Sequence, residues 1–340
     1  MKRKPPSRPK GTISHGAVRR SFFSAAFSFM FLLSFIPAGM FFSSCASGAV
    51  KAEEYFSLGM AYYELGKYAD AEKWLNRARA ADKTMTASDY NLGRIAFETG
   101  RYEEAARHFE RILDRDPDNV MALKSAAYSR IKNGDLQKAE TLYNRVLTLV
   151  PDSADDGFNY ALVLYSMNKY QNCEEVLNKY PYALEENPSA LLLLARAEKA
   201  QNKVEAADSY AKWIANSGGA ANPQALYEYA QVLENAGLYA RALEQYKAAI
   251  NALTQDTAEL KKSTIRFEEA RLFLTADPEN ADGMNELNAS VAEGFTDTAA
   301  IEDLLLDERI KQANRDDIRK ILDKILNNDT ADATGDESQN

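Results

Sequence analysis

Residues 52–85 read AEEYFSLGMAYYELGKYADAEKWLNRARAADKTM, and residues 86–119 read TASDYNLGRIAFETGRYEEAARHFERILDRDPDN. Laid one on the other, they share a small residue (Gly59, Gly93), a turn glycine (Gly66, Gly100), an aromatic two places on (Tyr68, Tyr102) and a second small residue (Ala71, Ala105). Four more copies follow. The first small column continues through Ala127, Ala161, Ala195 and Ala230, and the second through Ala139, Cys173, Ala207 and Ala242. The turn column continues through Gly134, Asn168, Asn202 and Gly237, and the bulky column through Leu136, Tyr170, Val204 and Tyr239. The spacing is 34 residues in four intervals and 35 in the last. Four independent columns in one register are the signature of a repeat array.

Each column has a physical reason. Between the turns, apolar residues such as Tyr55, Leu58, Gly59 and Tyr62 recur at helical spacing, so each copy is two helices joined by a short turn. The Gly/Asn column ends the first helix, because those residues tolerate the left-handed backbone of a helix C-terminus. Small residues let paired helices approach closely, while Leu75, Phe109, Tyr143, Leu177 and Tyr246 fill the space between hairpins. Pro117 and Pro151 stop the second helix. Cys173 sits at a small packing position and reads as a buried residue rather than a reactive thiol.

The columns resemble the tetratricopeptide repeat (TPR) family, whose pattern runs bulky, Leu, small, aromatic, turn Gly, aromatic, Ala, aromatic, Ala, Pro. Six copies are delimited: 52–85, 86–119, 120–153, 154–187, 188–222 and 223–256. The fourth departs from the pattern with Gly157 at the bulky position and Pro181 inside the second helix. The fifth lacks the turn Gly and has Ala211 where a large residue is expected. The resemblance implies an all-α, right-handed superhelical solenoid whose first helices line a concave, protein-binding groove. By family register the groove takes Phe56, Met60 and Tyr63, then Tyr90, Asn91, Arg94 and Phe97, then Lys124 and Tyr128, Phe158 and Tyr165, Arg196, and Tyr227. That is a mostly aromatic track with a few polar tips, which suits protein contact. Family members that clamp a peptide carboxylate use Lys and Asn at places held here by Phe56, Met60, Met121 and Ser125, with only Asn91 matching, so no such clamp is predicted.

Upstream of the array the sequence reads as an address. Residues 1–44 carry seven basic residues, from Lys2 to Arg20, and no acid; they continue into an uncharged run, Ser21–Phe42. A basic head, an apolar centre and small residues at the end make a secretory signal. Phe42-Ser43-Ser44-Cys45 resembles a bacterial lipobox, with Phe42 where Leu is usual. That resemblance implies a signal peptide over 1–44, acylation (palmitate among the chains) at Cys45, a tether over 45–51, and a TPR lipoprotein held in the cell envelope and facing the periplasm. An uncleaved anchor and soluble secretion stay open, because about 20 apolar residues can also span a bilayer. With +7 on residues 1–44 against −9 overall, the remainder carries −16, which argues against nucleic acid as a partner.

After Ile250 the columns fade. A helix is predicted over about 257–274, continuing the register once through Leu260 and Phe267. Amphipathic pieces follow over about 284–293, 298–310 and 315–327. Residues 257–327 thus read as a degenerate repeat and capping helices, and 328–340 as a disordered tail. The chain has two His: His15 leaves with the signal, and His108 is expected on an exposed face. No His/Cys cluster, nucleophile pair or phosphate loop is present, so no metal, cofactor or catalytic residue is expected. The sequence therefore predicts a non-catalytic scaffold that binds protein partners. Its role would lie in envelope protein assembly by analogy with the lipoproteins it resembles. A self-assembling array and a small-ligand-binding component are the alternatives.

Overall fold

A computed structural model describes the backbone of residues 43–217 and 222–335, with side chains over 50–217 and 222–327. The apolar run 21–42, the side chain of Cys45 and residues 218–221 lie outside the described residues. The body from Gly48 onward is one compact unit. Among the described residues it holds only helices, and it is a solenoid of helical hairpins.

The first six hairpins follow the repeat register. They are α1 (Ser43–Glu64) with α2 (Tyr68–Ala81), α3 (Thr86–Glu98) with α4 (Tyr102–Leu113), and α5 (Val120–Lys132) with α6 (Leu136–Leu149). Then come α7 (Ala154–Ser166) with α8 (Tyr170–Leu177) and the short α9 (Pro181–Glu186), α10 (Pro188–Ala200) with α11 (Ala206–Asn216), and α12 (Pro223–Asn235) with α13 (Tyr239–Ala252). The turn column is explained by backbone geometry. Gly66, Gly100, Gly134 and Gly237 have φ between 69° and 81°, and Asn168 and Asn202, which replace glycine, have φ of 58° and 55°. Among the described residues these two asparagines are the only non-glycines at positive φ. Asn is the side chain that bears this region best.

Packing explains the small columns. A Cβ on Gly59 would lie 2.8 Å from Leu75 Cγ, and one on Gly93 would lie 2.7 Å from the Phe109 ring. Leu75 and Phe109 therefore fill space within their own hairpins, over the small residue of the first helix, rather than only between hairpins. Cys173 is fully buried in the same kind of site, and burial pushes its thiol up to about 12.

The irregular repeats compensate internally. Pro181 cannot continue a helix, so the second helix of the fourth hairpin stops at Leu177 and restarts as α9 with the proline in its first turn. Gly157, at the bulky position, gives up its space to Tyr180. A Cβ there would lie 2.2 Å from the Tyr180 ring, whose hydroxyl donates to the Pro151 carbonyl at 2.8 Å. In the fifth hairpin, where Ala211 stands in the large column, the neighbouring Tyr210 and Trp213 are the buried large residues of the second helix, and Tyr210 stacks on Tyr229 at 5.5 Å.

Beyond the sixth hairpin the structure differs from expectation in detail. The helix predicted from 257 begins at Lys262, as α14 (Lys262–Ala276). Before it, Asp256 Oδ1 accepts from the Lys262 amide, and the Leu260 amide donates to Thr257 Oγ1, which holds the segment as a turn. Paired with α15 (Asp282–Ala292), α14 makes a seventh hairpin delayed by this insertion. The capping pieces are α16 (Thr298–Leu306) and α17 (Gln312–Gly335). Helix α17 runs to Gly335 through residues read as a disordered tail, since no Gly or Pro interrupts it earlier. Likewise α1 starts at Ser43, so the backbone read as a tether is already helical.

Buried side chains fall into unequal clusters. One runs through hairpins four to seven, from Ala161 to Leu272. Another joins the seventh hairpin to the cap, through Phe267, Leu287, Phe295, Ile301, Leu304 and Ile318. The first three hairpins hold small ones, such as Ala71, Leu75, Leu92 and Ile95.

Candidate protein-binding groove

The first helices of successive hairpins touch one another along one face. Arg94 donates to the Tyr63 hydroxyl at 2.7 Å and lies over its ring at 4.7 Å. Phe97 stacks on Tyr128 at 5.1 Å, and Lys124 Nζ reaches Asp156 at 2.6 Å. Further along, Arg196 pairs with Glu228 at 2.7 Å, Lys199 donates to Gln231 at 2.7 Å, and Arg271 pairs with Glu234 at 2.6 Å. Contacts of residues 31 to 37 places apart thus link the first helices into a track, from α1 to α7 and from α10 to α14.

The track is not uniform. At hairpins two and three it opens into a recess of about 200 Å³ lined by Arg94, Phe97, Glu98, Phe109, Ser125 and Tyr128. Tyr128 is 48% exposed, with Lys132 Nζ 5.5 Å above its ring. Phe97 is held edge-on by Tyr102 at 5.2 Å, so the aromatic wall is pre-set. Glu98 accepts from the Tyr63 hydroxyl, and burial together with that bond pushes the Tyr63 phenol up to about 12. From hairpin five onward, paired charges replace aromatics. Salt-bridged groups that already have partners offer less to a ligand than exposed aromatic surface.

Of the predicted groove residues, the recess gathers Arg94, Phe97 and Tyr128. The others lie outside it. Phe56 and Met60 pack on the cluster of Ala71 and Leu75. Tyr90 meets Phe109 edge-on at 5.4 Å. Asn91 is buried; it donates to the Ala87 carbonyl and accepts from Arg94, so it orients that arginine. Phe158, Tyr165 and Tyr227 rest on the large cluster, and Lys124 and Arg196 are engaged by acids. Sequence reasoning missed Glu98 and Lys132, and named Ser125 only as a departure from the carboxylate clamp. The available signal was register, since Glu98 and Lys132 occupy equivalent places 34 residues apart.

His108 corrects an expectation. It is buried, not exposed, because the first helix of its own hairpin supplies a buried carboxylate, Asp89. His108 Nδ1 lies 3.5 Å from Asp89, Arg111 Nε donates to it at 3.0 Å, and Arg79 approaches at 3.4 Å. Burial pulls the Asp89 carboxyl up, but these donors outweigh it and hold it at about 2. The cluster ties two hairpins together. Among the described residues no group of three His, Cys, Asp or Glu side chains is placed to hold a metal.

Comparison with known proteins agrees with this architecture. Family models described as tetratricopeptide repeat match residues 52–84 and 90–154. A model described as anaphase-promoting complex, cyclosome, subunit 3 matches 132–214. Residues 52–84 and 90–154 therefore carry tetratricopeptide repeats. A solved TPR protein from Parabacteroides merdae is 19% identical with a TM-score of 0.50, covering 76% of this chain and 100% of its own. YrrB, described as a TPR protein with an unusual peptide-binding site, is 15% identical with a TM-score of 0.47, covering 52% of this chain and 91% of its own. MamA is 18% identical with a TM-score of 0.45, covering 47% and 94%. At these identities the likeness concerns the fold. No curated protein matches the chain.

Proposed function

We propose that this TPR protein is a non-catalytic scaffold that holds an extended segment or helix of a partner protein along its first-helix face, with the contact centred on hairpins two and three. The observation that carries the reading is the recess lined by Arg94, Phe97, Glu98, Ser125 and Tyr128. It offers rigid aromatic surface beside one cation and one anion, a combination that serves protein contacts at low entropic cost. The peptide-binding site in YrrB's description is in keeping with it. The basic and apolar residues 1–42, followed by Cys45, support a lipid anchor that places the body outside the cytoplasm, with a role in envelope protein assembly. Among the described residues no helix is long and apolar enough to cross a membrane.

The test is a pull-down from the native cell extract with Tyr128→Ala and Lys132→Ala, both at exposed positions. Recovery of the partner should fall at least tenfold while the thermal melt is unchanged. Undiminished recovery would remove the recess from the binding surface. Mass spectrometry of the mature N-terminus should find an acylated Cys45; an unmodified or uncleaved terminus would end the lipoprotein reading.

A further inference from the structure

Between the second helices of hairpins one and two lies a hollow of about 290 Å³. Arg79 of α2 and Arg107, His108 and Arg111 of α4 line it, with buried Leu92 of α3 beneath. Glu72 and Glu104 line it too, but both are engaged: Arg101 donates to Glu72, and to Glu104 at 3.0 Å. The buried Asp89 carboxylate takes Arg111 Nε at 3.0 Å and Arg79 Nη1 at 3.4 Å. Asn76 Oδ1 accepts from Arg79 Nη2 at 2.8 Å. Two guanidiniums are thus fixed from behind by groups of the fold, and each keeps further N–H donors to give. Arg107 is exposed and has no hydrogen bond, ion pair or ring contact among the described residues.

His108 adds a buried donor. It is 6% exposed, and the Arg111 guanidinium donates to its Nδ1. A guanidinium can only donate, so Nδ1 accepts and the hydrogen of the neutral ring sits on Nε2. Nε2 lies 3.8 Å from Glu104 Oε1, beyond hydrogen-bond reach. A buried N–H without an acceptor is unfavourable, and this one stands at the wall of a hollow whose own carboxylates are taken. The hollow therefore gathers donors from two helices and lacks an acceptor for them.

We propose that this hollow binds a phosphate group. Arg107 supplies the fork, Arg79 and Arg111 the flanking donors, and His108 Nε2–H the contact from below. The number of donors selects the ligand. A phosphate monoester brings three acceptor oxygens and a charge of about −1.5 to −2, whereas a carboxylate brings two oxygens and one charge. Guanidinium forks match phosphate oxygens in pairs. Because Asp89 and Asn76 already hold Arg79 and Arg111, little side-chain freedom is lost on binding. The site lies between second helices, apart from the first-helix recess at Tyr128, so both can be occupied at once.

Titration calorimetry of the full chain in detergent, at constant ionic strength, tests the site with inorganic phosphate. Saturable binding is expected. Arg107→Gln, at an exposed and unpartnered position, should weaken it at least tenfold without moving the thermal melt. Lys212→Gln removes the same charge from an exposed position on α11 and should change nothing. Glycerol 3-phosphate and dihexanoyl phosphatidate then separate the sources of the group. Equal affinity assigns a soluble phosphate ester, and a tenfold gain from the acyl chains assigns a lipid headgroup. The proposal is overturned by an absence of saturable heat, by undiminished binding in Arg107→Gln, or by equal losses in both variants, which would mean general charge attraction. Acetate binding as tightly as phosphate would also overturn it and give the hollow to a carboxylate.

Discussion

Gly157 and Tyr180 form an exchanged pair, and the same substitution at 157 should change sign with what stands at 180. Alanine in place of a mid-helix glycine stabilises by about 1 kcal/mol through backbone entropy. At Gly157 the added Cβ would sit 2.2 Å from the Tyr180 ring, so the ring or the backbone must move. Overpacking of this kind costs roughly 1–3 kcal/mol, which makes Gly157→Ala neutral to about 2 kcal/mol destabilising. Tyr180→Ala removes the ring and the hydroxyl bond to the Pro151 carbonyl. For a half-buried aromatic that costs about 2–3 kcal/mol. In that background the obstacle is gone, and Gly157→Ala should now stabilise by about 1 kcal/mol. The coupling between the two sites is therefore about 1–3 kcal/mol, well above what independent sites show. Urea titrations of the four proteins, followed by circular dichroism, measure it. If Gly157→Ala has the same sign and size in both backgrounds, the tyrosine does not occupy the space vacated by the glycine, and the account of the fourth repeat is wrong.

Three other outcomes are expected. Asn168→Ala and Asn202→Ala should each cost about 1 kcal/mol in thermal melts, because a Cβ-bearing residue without a local hydrogen-bonding group is strained at positive φ, whereas Asn→Gly at either site should cost nothing. Asp89→Ala should destabilise by about 3 kcal/mol in urea titration, since it leaves Arg79, Arg111 and His108 without their buried partner. The Asp89 contribution should be present above about pH 4 and be lost as pH falls through about 2, because its folded pKa lies below the unfolded one. Glu269 runs the other way: burial, then Glu286, push its carboxyl up to about 7. Its neutral form is the one the fold favours, so the stabilisation is full below about pH 4.5 and is lost as pH rises through about 7, by up to about 3 kcal/mol. Glu269→Gln should abolish that loss, read as the difference between variant and unaltered protein from pH 5 to 8.

The array was legible because its columns are enforced locally. A turn needing positive φ accepts Gly or Asn and little else, so Gly66 to Gly237 announce themselves in one dimension. Gly59 and Gly93 are likewise dictated by one neighbour each, sixteen residues away in the same hairpin. The site was less legible. Sequence register names which residues face a direction, but not which of them already have partners. Tyr90 and Asn91 are engaged by Phe109 and by Ala87 and Arg94, and only the fold reveals that. His108 misled for the same reason: a charged-looking helix face became an interior when Asp89 arrived from the preceding helix. The late start of α14 was hidden because Leu260 keeps an apolar residue near the expected place while its backbone forms a turn.

The uneven distribution of buried clusters bears on how the chain acquires its structure during synthesis. In an array each hairpin draws stability from its neighbours and from itself. The hairpins that leave the ribosome first hold the small clusters around Leu75, Phe109 and Tyr143, while the extensive one, from Ala161 to Leu272, arrives afterwards. Order should therefore spread backwards, from the later hairpins to the earlier. Amide hydrogens of hairpins one to three should exchange fastest in the finished protein. The recess at Phe97 and Tyr128 lies in that more readily opened portion, so occupancy by a partner would slow exchange most at the end of the molecule that holds itself least tightly.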